Sequence, residues 1–348
     1  MEEDFNILFK LCMTGSTDLL DLTHEMHPVS WKNFKEMQIE KCEKATVIGY
    51  GPFLPLSPTN PDVVQESVDY CMTVSKDLGQ EFCVLTCDQA IYEIVLALQK
   101  KHPTKYDHLI LRMGGFHIAM NFQGAIGKLM KGTGLEDLFI EGGVCLPGTA
   151  NKIMSGKDYY QMLRAHTLVE NAIYALFWEA FEDWLVEKST GTDELSSLSI
   201  QLSKICDTVN SSKDHDVQRA CKEAQASLDD VMKKMDEFVK TKCTSPTSQL
   251  WLMYIEMITI LKRYISAERA GIWDLHIAAA EEILPYLVSA GHSKYVSCLP
   301  HYLNAMKNLP ASIETEFKNG NFVVRKKEGK FNGVWTDMAL EQTYNKDA

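Results

Sequence analysis

A strand, helix, strand, helix pattern between Phe82 and Met130 constrains the fold of this chain most. Two short apolar runs, EFCVLTC and DHLILRM, have the length of β-strands, and each is followed by a segment with helical periodicity. Strands that alternate with helices at this spacing are expected to pair in parallel, with the helices as crossover connections. Both runs are apolar throughout, which is typical of strands covered on both faces. The pattern predicts a buried α/β unit.

The sequence changes character on either side of this unit. Residues 1–40 carry a short apolar helix pattern and then a turn-rich stretch, HPVSWKNF, and are interpreted as an N-terminal extension. Residues 41–148 are interpreted as the α/β core part, and ATVIGYGPFLPL near its start predicts a further strand that leads into a proline-rich loop. Residues 149–310 have helical periodicity almost throughout, which predicts an all-α domain. Residues 311–348 are expected to form a β-hairpin and the start of a C-terminal helix that return to the core.

The chain is acidic overall, with a formal net charge of −12 over 348 residues. Nucleic-acid affinity comes mostly from lysine and arginine side chains that displace counterions, so an acidic protein needs a local basic patch for this purpose. The one dense cluster of basic residues lies in the predicted hairpin and comprises Arg325, Lys326, Lys327 and Lys330. These residues are the candidate nucleic-acid contacts, and an exposed hairpin without a ligand is the alternative interpretation.

Targeting signals and metal-binding cysteine patterns are not evident. The N-terminus, MEEDFNILFKLC, is acidic with a short apolar run, unlike a secretory signal, and no window approaches the ~18 apolar residues of a membrane span. The ten cysteines include no C-x-x-C pair and no paired zinc-ligand spacing. We therefore expect a soluble intracellular protein, nuclear or cytoplasmic, that is not secreted and has no membrane contact.

Polar residues follow each of the two predicted strands. Asp88 comes directly after the first strand, at the edge where open parallel sheets bind their ligands, although an aspartate there is also a good helix N-cap. Gly114 and Gly115 follow the second strand, and two glycines allow the backbone to turn sharply into the next helix. His117 and Asn121 lie one helical turn apart and share a face. A hydrogen-bonded structural histidine is the alternative interpretation.

A late acidic segment, TDMALEQTYN, places Glu341 and Asn345 four residues apart on one face of a helix that Thr336 or Asp337 is expected to cap. Such a helix can also be a simple exposed C-terminal element. A carboxylate site for divalent metal ions needs two or three converging acids, so the position of this segment relative to Asp88 is the decisive question.

Together these pieces resemble the RNase H-like core of cut-and-paste transposases, particularly the Mutator-like group. In that group an aspartate and an apolar helix precede a strand with C/G-x-x-H, an asparagine four residues later, and a late T-x-x-x-x-E-x-x-x-N helix. The matching residues here are Asp88, Gly114 to His117, Asn121, Thr336, Glu341 and Asn345. The sequence from about Trp31 to the C-terminus, including ILRMGGFHIAMNFQGAIGK, is also similar to a family of mobile-element-associated proteins.

The resemblance implies an α/β fold with an incomplete RNase H-like parallel or mixed sheet and a large all-α helical insertion. It also implies that Asp88 and Glu341 are catalytic carboxylates that hold Mg²⁺ or Mn²⁺, with Gly114, Gly115, His117, Asn121 and Asn345 as supporting residues. The first catalytic aspartate of such a core has no counterpart, because residues 1–50 offer no apolar strand with an internal acid. The chain therefore looks like a copy that starts downstream of the first strand.

Three functions remain open at this point. The first is a transposon-derived protein that has lost catalysis and binds nucleic acid or protein. The second is an active Mg²⁺- or Mn²⁺-dependent DNA nuclease or transposase that uses Asp88 and Glu341. The third is a helical interaction scaffold that binds a protein partner or itself through the helical domain.

Overall fold

The computed structural model describes residues 44–52, 56–188, 200, 229–325, 327–329 and 331–338. Within these ranges the chain is mostly helical, with one two-stranded parallel sheet and one two-stranded antiparallel hairpin. The described residues form two compact units. Residues 163–258 belong to the first, and residues 44–162 and 259–338 belong to the second.

The second unit contains the strand, helix, strand, helix order that the sequence predicts. Helix α1 spans Pro61–Asp77, β1 Cys83–Cys87, α2 Gln89–Lys101, β2 Leu109–Met113 and α3 Gly115–Leu129. The two strands pair in parallel, from Cys83 opposite Leu109 to Cys87 opposite Met113. The prediction of parallel strands joined by a crossover helix is therefore confirmed. Because each strand leads directly into a helix, α2 and α3 both begin at the carboxyl edge of this sheet.

Two details of the predicted sheet are wrong. Strand β2 is buried at four of its five positions, but Val84 in β1 is 38% exposed, so β1 is not covered on both faces. The strand predicted from ATVIGYGPFLPL is absent from the described residues 44–52, which are exposed and have no regular structure. β-branched residues favour an extended backbone, but a strand also needs a neighbour with which to pair, and no ladder forms at these residues.

Helices make up most of the rest of the second unit. They are α4 Leu135–Glu141, α5 Pro147–Met154, the start of α6 Tyr159–Glu187, the end of α7 Pro246–Ala270, α8 Trp273–Ser289, α9 Ser293–Lys307 and α10 Ala311–Lys318. Helix α8 packs against α3 and α9, and α9 packs against α2. The predicted C-terminal hairpin is present as β3 Val324–Arg325 and β4 Gly333–Val334, and a single 3-10 turn follows at Thr336–Met338.

The first unit is helical in nearly all its described residues. It contains most of α6, helical residues 229–242 and the first part of α7. Its core is aromatic: Phe181 packs between Trp178 and Trp184, and Phe238 contacts Phe181 and Trp184. The described part of residues 149–310 is therefore mostly helical, as the sequence predicts.

Several expectations concern other parts of the chain. The predicted N-terminal extension, residues 1–40, lies outside the described ranges, and so do Glu341 and Asn345. The domain boundaries expected at residues 148 and 310 stay predictions. Among the described residues, no helix is long and apolar enough to cross a membrane.

Candidate functional site

The N-terminus of α3 is closed by a residue that is distant in sequence, Asp337. Its Oδ1 accepts a hydrogen bond from Phe116 N and its Oδ2 accepts one from His117 N, each at 3.2 Å. His117 Nδ1 lies 2.8 Å from the same Oδ2, and the Asp337 side chain is only 3% exposed. A helix leaves its first N–H groups without partners and is partially positive there, so a carboxylate stabilises this end. The helix that Thr336 or Asp337 is expected to cap would follow Met338, outside the described residues.

The two glycines before His117 are required by space, not by backbone conformation. Gly114 has φ −64°, and neither glycine adopts a positive φ. A Cβ added to Gly114 would lie 2.2 Å from Asp337 Oδ2, and one added to Gly115 would lie 2.8 Å from Glu268 Oε1. The expected need for a sharp glycine turn is thus wrong, because the glycines make room for two buried carboxylates.

Asp88 caps α2, as the simpler interpretation of the sequence predicts. Its Oδ1 accepts a hydrogen bond from Ile91 N at 2.9 Å. Burial and then the charges of Asp88 and Asp337 raise the pKa of the Cys87 thiol to about 12. Both carboxylates therefore lie near the end of β1.

A cavity of about 510 Å³ opens at this edge of the sheet, and we call it the strand-edge cavity. Its walls come from the start of α2, one face of α3 and the turn between α8 and α9. Its charged and polar lining comprises Asp88, Gln89, His117, Asn121, Lys128, His292, Ser293, Lys294 and Tyr295. A cavity of this size accommodates a small organic ligand or a nucleotide. The predicted His117 and Asn121 do share a face, and this face forms one wall of the cavity.

Asn121 contacts the backbone of His117 and the ring of His292. Its Nδ2 donates to His117 O at 2.9 Å, and its Oδ1 lies 3.4 Å from His292 Nδ1. The His292 ring also lies against α3 at Gly124, where an added Cβ would be 3.7 Å from Cε1. Burial, and secondly the charge of Lys128, lower the pKa of His292. His292 is therefore held against α3 in a setting that favours the neutral imidazole.

Lys128 extends the same face of α3. His117, Asn121, Gly124 and Lys128 follow the i, i+4, i+7, i+11 spacing that aligns side chains along a helix. A Cβ added to Gly291 would lie 3.5 Å from Lys128 Nζ, so the ammonium group is beside the turn that carries His292. The face could have been extended to Lys128 from the sequence alone. His292 and Lys294 give no such signal, because their turn meets α3 only in the folded chain.

A buried polar cluster lies behind the N-terminus of α3. His276 Nδ1 is 2.8 Å from Glu268 Oε1, and His276 Nε2 is 2.8 Å from the Tyr302 hydroxyl. The Arg112 guanidinium, at the end of β2, donates to Phe322 O at 2.8 Å and lies over the Phe317 ring. Burial lowers the pKa of His276, despite the opposing effect of Glu268. The cluster therefore supports the site from inside and does not line the cavity.

The predicted basic patch is not a continuous exposed surface. Arg325 is 2% exposed, and its Nη1 donates to Gly320 O at 2.9 Å. Its guanidinium occupies the space that Gly271 and Gly320 leave, since a Cβ at either glycine would meet it. The interpretation of Arg325 as a nucleic-acid contact is therefore wrong. Lys327 is exposed, while Lys326 and Lys330 lie outside the described residues.

The carboxylates at the strand edge fit a metal site poorly. Asp88 and both oxygens of Asp337 already accept hydrogen bonds from backbone N–H groups, with which a metal ion would have to compete. In the part of the chain that the structure describes, no group of three or more His, Cys, Asp or Glu side chains is arranged to hold a metal ion. Glu341, the second predicted ligand, is outside that part.

Comparisons with other proteins place the chain in a family. No curated protein matches it, and no solved structure matches it. The model of a family described as a domain of unknown function, DUF8702, matches residues 30–348. This range covers most of the chain and includes every residue of the strand-edge cavity. The chain therefore belongs to the DUF8702 family.

Proposed function

We propose that this chain is an RNase H-like protein related to cut-and-paste transposases, and that it binds a nucleic-acid strand in the strand-edge cavity without metal-dependent cutting. One observation carries the proposal: a cavity at the carboxyl end of two parallel strands is lined by Lys128, Lys294, His117 and His292. Open α/β sheets bind ligands at this edge. The order β1, α2, β2, α3 and the resemblance around Asp88 and His117 support the RNase H-like part.

The charges of the cavity favour a phosphate-bearing ligand. Lysine side chains that neutralise phosphates supply most of the affinity in nucleic-acid complexes. The net charge of −12 opposes binding elsewhere on the surface, so a local pair of lysines in a cavity is where a strand would be held. The basic hairpin contributes less than the sequence suggests, because Arg325 is buried.

The proposal that metal-dependent cutting is lost follows from how the carboxylates are used. Two-metal cutting requires carboxylates that converge on metal ions ~3.5–4 Å apart. Asp88 instead caps α2, and Asp337 caps α3 and holds His117. Each carboxylate has a structural role that accounts for its position.

Binding is tested with a fluorescein-labelled 12-nucleotide single strand, followed by anisotropy as the salt concentration is raised. The double variant Lys128→Gln, Lys294→Gln should bind more weakly, and the slope of log K against log salt should fall by about 1.4, since each lost phosphate contact changes it by about 0.7. The matched control is Lys100→Gln, Lys101→Gln, on the last turn of α2, which should bind as the unaltered protein does. Equal weakening in both double variants would place binding elsewhere.

Cutting is tested separately with single-stranded and duplex DNA in the presence of Mg²⁺ or Mn²⁺. No cleavage is expected. Metal-dependent cleavage that disappears in Asp88→Asn would overturn this part of the proposal and support the alternative of an active nuclease or transposase.

A further inference from the structure

Two histidines with different surroundings share the strand-edge cavity with two lysines. We infer that this cavity cleaves single-stranded RNA without a metal ion, with His292 as the general base and His117 as the general acid. The inference rests on the proposed function, because RNA must first bind in the cavity. It adds the substrate class and a reaction that the carboxylates do not supply.

His117 has the surroundings of an acid. Its Nδ1 is 2.8 Å from Asp337 Oδ2, and an ionised carboxylate only accepts hydrogen bonds, so Nδ1 carries a proton. In this scheme the ring acts while doubly protonated, when Nε2 is also an N–H group. The side chain is 37% exposed and lines the cavity, so the ring can meet a ligand there.

His292 has the surroundings of a base. Asn121 Nδ2 donates to His117 O, which fixes the amide so that Oδ1 is the atom 3.4 Å from His292 Nδ1. An amide oxygen accepts, so Nδ1 carries the proton of the neutral ring and Nε2 is the acceptor. Burial and the Lys128 charge lower the pKa of His292, which keeps the ring neutral. Asp88, His117, Lys128, Lys294 and Tyr295 are the other titratable groups that line the cavity with it.

The reaction needs no group beyond these side chains and the RNA. His292 Nε2 takes the proton of a 2′-hydroxyl, and the 2′-oxygen forms a bond to the adjacent phosphorus. The bond from phosphorus to the 5′-oxygen breaks, and that oxygen takes the proton from His117 Nε2. Lys128 and Lys294 stabilise the negative charge on the phosphoryl oxygens. The products are a 2′,3′-cyclic phosphate end and a 5′-hydroxyl end. DNA lacks the nucleophile and is not cleaved.

The experiment uses the full chain, EDTA and three labelled single strands of one sequence: RNA, 2′-O-methyl RNA and DNA. All three should bind, and RNA alone should be cleaved, with a cyclic phosphate end identified by mass spectrometry. His117→Gln and His292→Gln should each lower the rate by about 100-fold or more while RNA binding persists. His102→Gln, purified in parallel, is the matched control and should leave the rate unchanged. It lies at the end of α2, away from the cavity.

Asp337 is a positioning residue in this scheme. In Asp337→Asn, His117 Nδ1 loses its carboxylate partner, so the cleavage rate of the folded variant should fall while RNA binding persists. A residue that merely caps α3 would change protein stability without changing the cleavage rate of the folded protein.

Each outcome separates the two proposals. Binding of RNA without cleavage overturns this inference and leaves the proposed function standing. Absence of binding to all three strands overturns both. Cleavage that survives in both histidine variants, or that EDTA abolishes, overturns the inference as well, because the nuclease is then a contaminant or depends on a metal ion.

Discussion

Asp337 is the residue on which the candidate site most depends. One buried carboxylate caps α3 through two backbone N–H groups and also holds the His117 ring. Its neighbours Trp335 and Thr336 help to hold the segment that carries Asp337. Trp335 packs on Phe116, and the Thr336 hydroxyl donates to Phe322 O. The C-terminal segment thus completes a site that β1 and β2 begin.

Replacement of Asp337 by alanine should lower the free energy of unfolding by about 2 to 3 kcal/mol, because it removes a cap worth about 1 kcal/mol and leaves buried donors without an acceptor. Asp337→Asn should cost less, since the amide oxygen still accepts one hydrogen bond. Urea denaturation followed by tryptophan fluorescence measures the change.

The control for this prediction is Asn60→Ala, which removes the exposed cap of α1, where Asn60 Oδ1 accepts from Asp62 N. That change should cost about 1 kcal/mol or less. If Asp337→Ala costs no more than Asn60→Ala, the buried carboxylate does not stabilise the site as described.

At the residue scale, the sequence predicts the members of the site that belong to one local pattern and misses the others. His117 and Asn121 were predictable because four-residue spacing places them on one helix face. Asp337 contacts His117 across 220 residues, and His292 contacts Asn121 across 171. No periodicity connects such pairs, because the packing of helices brings them together. The prediction that Arg325 is an exposed contact was wrong for a related reason, because two glycines outside its own segment create the space that buries its side chain.

Among the elements, α3 organises the site. It carries one wall of the strand-edge cavity and, with Gly124 and Gly127, packs closely on the end of α5 and the turn that follows it. A Cβ added to Gly127 would lie 1.9 Å from Met154 O, and one added to Gly124 would lie 3.3 Å from Ser155 O. The backbones therefore approach as closely as glycine allows, which fixes where the cavity face of α3 points.

Gly127→Ala tests this contact, because the close packing determines whether the free energy of unfolding rises or falls. In an open helix position, alanine is more favourable than glycine by about 0.5 to 1 kcal/mol. Here the clash with backbone should reverse the sign and destabilise the protein by about 1 to 3 kcal/mol. The matched control is Gly148→Ala in α5, where an added Cβ meets nothing within 4 Å and the protein should be equally or slightly more stable. Stabilisation by both changes would contradict the close packing of α3. Thermal denaturation by circular dichroism measures both.

The order of elements was easier to predict than their surroundings. The periods of strands and helices are local, so β1, α2, β2 and α3 were predictable from their own residues. Whether a segment pairs or is covered depends on distant residues. ATVIGYGPFLPL has strand-forming composition but finds no ladder in its described residues, and Val84 is exposed although its strand is apolar.

In the second compact unit as a whole, titratable side chains lie in the core as well as on the surface. Glu268 and His276, from α7 and α8, meet Tyr302 from α9 in a cluster that also faces Arg112 from β2. Burial of charged groups is costly unless they are paired, so this cluster requires the four elements to pack in one arrangement. Its stability should respond to pH through His276.

The free energy of unfolding should fall as the pH is lowered from about 6.5 towards 5. Burial lowers the pKa of His276 from its ordinary value of 6.5, so the unfolded chain takes up the proton at a pH where the folded chain does not. The stability that the neutral His276 contributes is thus fully present above pH 6.5. Below that pH the free energy of unfolding falls, by at most about 1.4 kcal/mol per pH unit for one proton. His292, whose pKa is also lowered, acts in the same direction. Urea denaturation at a series of pH values should give a flatter dependence for His276→Gln, and an unchanged slope would show that His276 is not held neutral in the folded protein.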